Sequence, residues 1–103
     1  MTFDYIENFE DFENMLSLSE ETICIVDIFA DWCGPCKRIA PTFEEASNNS
    51  NFKFFKYDAD LQLDIEDLKV SSLPTFLVFY NRGIINTLVG GNKDRFLEFI
   101  KDL

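Results

Sequence analysis

The sequence predicts an α/β fold: a mixed central sheet of about five strands, flanked on both faces by four helices. Three observations lead there. Residues Ile23 to Ala30 form an apolar run on both faces, the pattern of a central strand covered on both sides. Helical periodicities alternate with strand-like runs through the first two thirds of the chain, which implies crossover connections. Near the C-terminus, two strand-like runs flank a short turn, which implies an antiparallel edge.

Taken in order, Thr2 to Ile6 reads as a short first strand. Asn8 can cap a helix over Phe9 to Leu16, with Phe9, Phe12, Met15 and Leu16 on one stripe. Ser17 to Thr22 is polar and reads as a loop. The central strand follows, broken only by Asp27. A second helix is predicted from Gly34 to Ser47, burying Ile39, Ala40, Phe43 and Ala46 and carrying Pro41 inside it. Phe52 to Tyr57 reads as a strand, and Leu61 to Val70 as a third helix with Leu61, Ile65 and Leu68 inward. Thr75 to Tyr80 and Ile84 to Val89 read as a hairpin, with Asn81-Arg82-Gly83 as a three-residue loop and Gly83 in its left-handed position. A last helix turns Phe96, Leu97, Ile100 and Leu103 inward. With 103 residues and no linker or repeat, residues 1–103 read as one domain.

Composition narrows the function. The net charge is −10, and the first 22 residues carry seven acids and no base. That argues against a nucleic-acid face, which needs clustered Lys and Arg, and against anionic membranes. No segment approaches the ~18 consecutive apolar residues of a membrane span, and Met1 to Tyr5 lacks the basic start of a signal peptide. The expectation is therefore a cytoplasmic protein. There is no histidine and there are only three cysteines. A four-ligand Cys/His zinc site within one chain is then impossible, and Ser-His and Cys-His nucleophilic pairs are absent.

Two of the three cysteines stand at Trp32-Cys33-Gly34-Pro35-Cys36-Lys37, where the central strand meets the second helix. A helix N-terminus favours negative charge, so a cysteine placed there is available as thiolate, the form that attacks disulfides. Cys33, at the helix mouth, is the exposed candidate nucleophile, and Cys36, one turn inside, the resolving thiol. Cys33 would attack a substrate disulfide, and Cys36 would then displace the substrate, leaving a Cys33–Cys36 disulfide. Gly34 permits the tight turn, and Pro35 fits a first helical turn that needs no N–H. Cys24 alternates with Asp27 on its strand and should lie on the opposite face, as a buried core thiol.

The chain resembles the thioredoxin family. The likeness rests on Trp32 to Lys37 together with Val26-Asp27-Ile28-Phe29-Ala30, Ile39-Ala40-Pro41, Asp58-Ala59-Asp60, Leu73-Pro74-Thr75-Phe76 and Val89-Gly90, in the family's order and near its spacing. The resemblance implies a thioredoxin fold and a general protein-disulfide reductase, and the Gly-Pro between the cysteines matches the reducing members. It implies that Asp27 is a buried carboxylate accepting the proton of Cys36, and that Lys56 tunes it. It implies a cis bond before Pro74 and a substrate groove of Trp32, Gly34, Pro35, Leu73, Pro74, Thr75, Val89 and Gly90. It further implies no bound cofactor and no metal, a monomer, and recharging by a thioredoxin reductase that uses NADPH. The implied substrates are disulfide-bearing proteins such as peroxiredoxin, methionine sulfoxide reductase or ribonucleotide reductase. Phe29 stands where the family often has Trp. The stretch between Asp60 and Pro74 is about one residue shorter than in common bacterial members, and the hairpin glycine is displaced by one. A second reading keeps the fold but makes the chain a binding or adaptor subunit in which redox is secondary.

Overall fold

The central strand is the second of five. In the computed structural model, which describes residues 2–103, the elements are β1 (Phe3–Tyr5), α1 (Phe9–Ser19), β2 (Cys24–Phe29), α2 (Gly34–Asn48), β3 (Lys53–Asp58), β4 (Thr75–Tyr80), β5 (Gly83–Val89) and α3 (Lys93–Lys101). The strand order is β1-β3-β2-β4-β5. β1 and β2 both run parallel to β3, while β4 is antiparallel to β2 and β5 to β4. This is the mixed five-stranded sheet that the sequence predicts. β2 lies in the middle, so each of Cys24 to Ile28 is buried.

The period of two along β2 divides the core. Cys24, Val26 and Ile28 face α1, where they pack with Met15, Phe79 and Tyr57. Ile25 faces the other way, among Ile39 and Phe43 of α2, Phe76 of β4 and Phe96 of α3. Asp27 shares that second face. Phe43 lies at the centre of an aromatic cluster, with ring centroids 5.4 Å from Phe54 and 6.0 Å from Phe76. Such tilted and offset pairs suit the ring quadrupole. Most of the phenylalanines are therefore core: Phe3, Phe43, Phe54, Phe55, Phe76, Phe79 and Phe96 are buried.

The helices begin where side chains can satisfy their free N–H groups. Asn8 Oδ1 accepts from Asp11 N at 2.8 Å, and Asn92 Oδ1 accepts from Arg95 N at 2.9 Å. α2 continues through Pro41 without interruption. Phe9 and Leu97 lie at the margins of their apolar stripes and are exposed, not inward as the periodicity suggested.

Two elements depart from the sequence reading. The helix expected over Leu61 to Val70 is absent; two single 3-10 turns, Ala59–Leu61 and Glu66–Leu68, take its place, so among the described residues the sheet carries three α-helices and not four. Local hydrogen bonds compete with the helix. Asp58 Oδ1 takes Asp60 N, Gln62 turns left-handed at φ 51°, and Tyr57 Oη takes Leu63 N. Ile65 and Leu68 are buried as expected, but Leu61 is exposed.

The hairpin differs too. Tyr80 pairs with Gly83, leaving a two-residue turn in which Asn81 (φ 51°) and Arg82 (φ 69°) are left-handed and Gly83 is not. Ser19, buried at the end of α1, holds this strained turn: its carbonyl accepts Asn81 N at 2.6 Å and its Oγ accepts Arg82 N at 2.9 Å. The Arg82 guanidinium adds exposed ion pairs to Glu13 and Glu20. That long-range support replaces the left-handed glycine that the local sequence predicts. An unpaired Ile85 shifts the β4–β5 register between Val78 and Phe79.

Candidate active site

β2 ends at the surface and passes the chain into Trp32 and Cys33. Cys33 N donates to Ala30 O at 3.1 Å, closing the turn. Cys33 is the N-cap of α2, in extended conformation, and its carbonyl accepts Lys37 N at 3.1 Å. Its sulfur accepts the backbone N–H of Cys36 at 3.2 Å. A sulfur thus occupies the place where a Ser or Asp oxygen usually caps a helix. Pro35, in the first turn, withholds no N–H that the helix needs.

Cys33 and Cys36 are joined as a disulfide, with Cα atoms 5.2 Å apart. In this state Cys33 is 5% exposed and Cys36 4%. The sequence reading of Cys33 as an exposed thiol does not describe the oxidised form. Bonding turns its sulfur toward Cys36, and Ala30, Phe29 and Leu73 pack against the pair. The two cysteines still differ in access. A cavity of about 760 Å³ opens beside the turn, bordered by Trp32, Cys33, Gly34, Pro35 and, across it, Leu73; Cys36 does not border it. Cys36 instead heads the buried stripe Cys36, Ile39, Phe43 and Ser47, by which α2 packs on the sheet.

That stripe covers the face carrying Asp27. Asp27 is 1% exposed, and its Oδ1 has no hydrogen-bond partner among the described residues. Burial pushes its carboxyl up to about 7, and the nearby Lys56 opposes this more weakly. Lys56 is its paired neighbour on β3, with Nζ 3.9 Å from Oδ2, too far for a hydrogen bond. Asp27 can therefore exchange a proton near neutral pH, as a general base must.

The predicted groove is only partly continuous. The Leu73–Pro74 peptide is cis. Pro74 is buried, and its carbonyl accepts Gly90 N at 2.9 Å, joining the start of β4 to the end of β5. Gly90 has φ +106°, a conformation that suits glycine. Thr75 is buried, with its Oγ1 donating to Ser72 O at 2.7 Å. Thr75 and the exposed Val89 border a separate hollow of about 390 Å³ rather than the cavity at Cys33.

Two contacts escaped the sequence reading. Trp32 is exposed, yet its indole Nε1 donates to both oxygens of Asp60 at 3.2 and 3.0 Å, which ties the redox turn to the segment after β3. Gly91 lies against the turn: a Cβ there would stand 2.9 Å from Pro35 O. The adjacent glycines Gly90-Gly91 were the only local signal of that close approach. Cys24 lies away from the site, buried on the α1 face. Burial pushes its thiol up to about 11, so it remains protonated.

Comparison with known proteins agrees with this geometry. The Thioredoxin family model matches residues 5–102. Thioredoxin 1 of Plasmodium falciparum is 40% identical over 93 residues, spanning 88% of each chain. The crystal structure of Schistosoma mansoni thioredoxin superimposes with a TM-score of 0.87 at 31% identity, covering 99% of this chain and 96% of that one. Over 81 residues the chain is also 40% identical to a peptide-N(4)-(N-acetyl-beta-glucosaminyl)asparagine amidase of Caenorhabditis briggsae, covering 77% of this chain but 14% of that longer protein. The sulfur pair at a helix mouth, the five-stranded mixed sheet and these likenesses have one explanation: the chain belongs to the thioredoxin family and is a thiol–disulfide oxidoreductase whose redox centre is Cys33–Cys36.

Proposed function

We propose that the chain serves as a general disulfide reductase of the cytoplasm, with Cys33 as nucleophile, Cys36 as resolving thiol and Asp27 as proton acceptor. In the reduced protein, the Cys33 thiolate attacks one sulfur of a substrate disulfide. The substrate S–S bond breaks, a mixed disulfide forms, and the departing sulfur takes a proton. Cys36 then gives its proton to Asp27 and attacks the Cys33 sulfur. The Cys33–substrate S–S bond breaks, the second substrate sulfur leaves as a thiolate and takes a proton from solvent, and the Cys33–Cys36 disulfide remains. Two electrons have passed from the pair to the substrate.

A reductase returns two electrons at the expense of NADPH, which that partner binds. Thioredoxin reductase is the proposed donor. Peroxiredoxin, methionine sulfoxide reductase and ribonucleotide reductase are proposed acceptors, because each forms a disulfide in turnover. Trp32, Gly34, Pro35 and Leu73 would receive the substrate beside Cys33, and the Pro74–Gly90 region would extend that surface. The observation that carries this reading is the Cys33 sulfur at the α2 N-terminus, held by Cys36 N–H and bordering a cavity.

Insulin reduction with NADPH and thioredoxin reductase tests it. Turnover that disappears in Cys33→Ser supports the reading. A folded protein without turnover, under that system and under dithiothreitol, would sink it. The adaptor alternative draws on the match to one segment of a longer protein. It predicts that a Cys33→Ser, Cys36→Ser double variant still retains the same partners non-covalently. The reductase reading predicts that Cys36→Ser captures partners only through a bond that dithiothreitol releases.

A further inference from the structure

Lys56 is held among aromatic rings from three different elements. Its Nζ lies 4.5 Å from the ring centroid of Phe29 on β2, 5.6 Å from that of Phe3 on β1 and 6.0 Å from that of Phe43 on α2. The side chain is 13% exposed. Asp27, its strand neighbour, is 1% exposed, with one oxygen lacking any partner among the described residues. An ammonium and a carboxylate placed this close, out of water, attract strongly and would close to direct contact if both were free to move. They stand 3.9 Å apart. Ring faces are the groups present that can compete for the cation, since their negative face attracts it.

Phe29 makes the nearest of the three ring contacts and is the least embedded. Phe3 and Phe43 are buried in the core cluster, whereas Phe29 is half-buried at the strand end that leads to Cys33. Its ring also contacts Tyr5, at 6.4 Å between centroids. The other titratable groups on this face are few. β3 adds Asp58, whose Oδ1 is engaged by Asp60 N. β1 adds the Tyr5 hydroxyl. The buried stripe of α2 adds only the Cys36 sulfur, and β4 opposes Asp27 with Phe76, which carries no charge.

We propose that Phe29 is a positioning residue that, with Phe3 and Phe43, holds the Lys56 ammonium out of hydrogen-bond reach of Asp27 and so keeps the carboxyl from being locked into an ion pair. A locked carboxylate would be a weaker base toward the Cys36 thiol. The proposal rests on the reading of Asp27 as proton acceptor, but the placement of Lys56 can be tested apart from it. The departure of this chain from the Trp common in the family falls at this position, and both residues offer a ring face.

The test is the titration of the Asp27 carboxyl, followed by carbon NMR in the oxidised protein, with Phe29→Leu, Phe29→Trp and Lys56→Met alone and Phe29→Leu combined with Lys56→Met. Folding of each variant is checked by thermal unfolding. Phe29→Leu should lower the midpoint by about one pH unit, through direct contact with the released ammonium. Phe29→Trp should leave it in place. With Lys56→Met already present, Phe29→Leu should move it no further. A midpoint unchanged by Phe29→Leu overturns the proposal. So does an equal fall in the Lys56→Met background, which would mean that the ring acts by excluding water. The decay of the mixed disulfide, measured separately, reports on the role of Asp27. If the midpoint falls as expected but decay keeps its rate, the ring contacts position Lys56 as proposed and the proton-acceptor reading is the one that fails.

Discussion

The backbone N–H of Cys36 points at the sulfur of Cys33, 3.2 Å away, so the amide of one disulfide partner caps the sulfur of the other. One turn of helix supplies both partners of the disulfide and the donor that favours a thiolate on the outer one. Cys24 has the opposite surroundings: its sulfur lies on the α1 face, near the carbonyls of Thr22 and Met15. Two sulfurs in one chain are therefore set to opposite reactivities by position alone.

Alkylation of the reduced protein should expose that contrast. With iodoacetamide at pH 7, Cys33 should react first, roughly ten-fold or more faster than Cys36. Cys24 should stay unmodified until the protein is unfolded, because burial holds its thiol up at about 11. Peptide mapping by mass spectrometry reads all three sites. Early labelling at Cys24 would contradict the buried, protonated assignment.

Asp27 should make stability depend on pH in a particular direction. Its carboxyl is raised from 3.8 to about 7 in the folded protein, so between those values the folded state binds the proton that the unfolded state has lost. Stability is then greatest below about pH 4 as far as this group is concerned, falls through the interval, and is level above about 7. The full loss is on the order of 4 kcal/mol. Asp27→Asn should therefore unfold at higher denaturant than the parent at pH 8.5 and at nearly the same denaturant at pH 4. Urea titrations at the two values check it; a gain of equal size at both would assign the effect to packing and not to ionisation.

The same substitution should slow the second exchange step. If Asp27 accepts the Cys36 proton, Asp27→Asn should prolong the mixed disulfide at pH 7 by about a hundred-fold, the lower end of what a positioned general base usually contributes. The first attack by Cys33 should change much less. Rapid mixing with a chromogenic disulfide separates the two phases.

Ser19 offers a test of the fold away from the chemistry. Its Oγ accepts Arg82 N and donates to Leu16 O, and it is fully buried. Ser19→Ala leaves the Arg82 N–H without that partner and should cost about 1–3 kcal/mol. The hairpin lies beside Cys24 and Phe79, the end of the sheet opposite the one that leads to Cys33. Insulin reduction should therefore be unchanged while the protein stays folded. A loss of turnover at unchanged fold would show that the hairpin and the redox turn communicate.

Much of the site was legible because its signals are local. The Cys33–Cys36 spacing, Pro35 and the strand-to-helix junction fall within a few residues of one another, and Asp27 is conspicuous as the one charge in an apolar strand. The resemblance to a family supplied Pro74 and Lys56, which nothing near them in the sequence marks. Local reasoning failed where distant atoms took over. Tyr57 captured Leu63 N and helped replace a helix with two short turns. Ser19 captured Arg82 N and moved the hairpin's left-handed residues away from Gly83. The Trp32–Asp60 bond and the approach of Gly91 to Pro35 join residues far apart in the chain, so no spacing rule could reveal them.

By itself, the sequence determined the layered α/β class and the thiol chemistry. Alternating periodicities require a sheet covered by helices, and two cysteines three positions apart at a helix start, with no histidine in the chain, narrow the chemistry to thiols and carboxylates. The tertiary structure decided the electrostatic setting of that chemistry. Strand pairing places Lys56 beside Asp27, three rings surround its ammonium at the distances observed, and α2 covers the carboxyl so that it titrates near neutrality. Those properties depend on desolvation and on separations of a few ångströms, and both come into being only when the strands and helices pack.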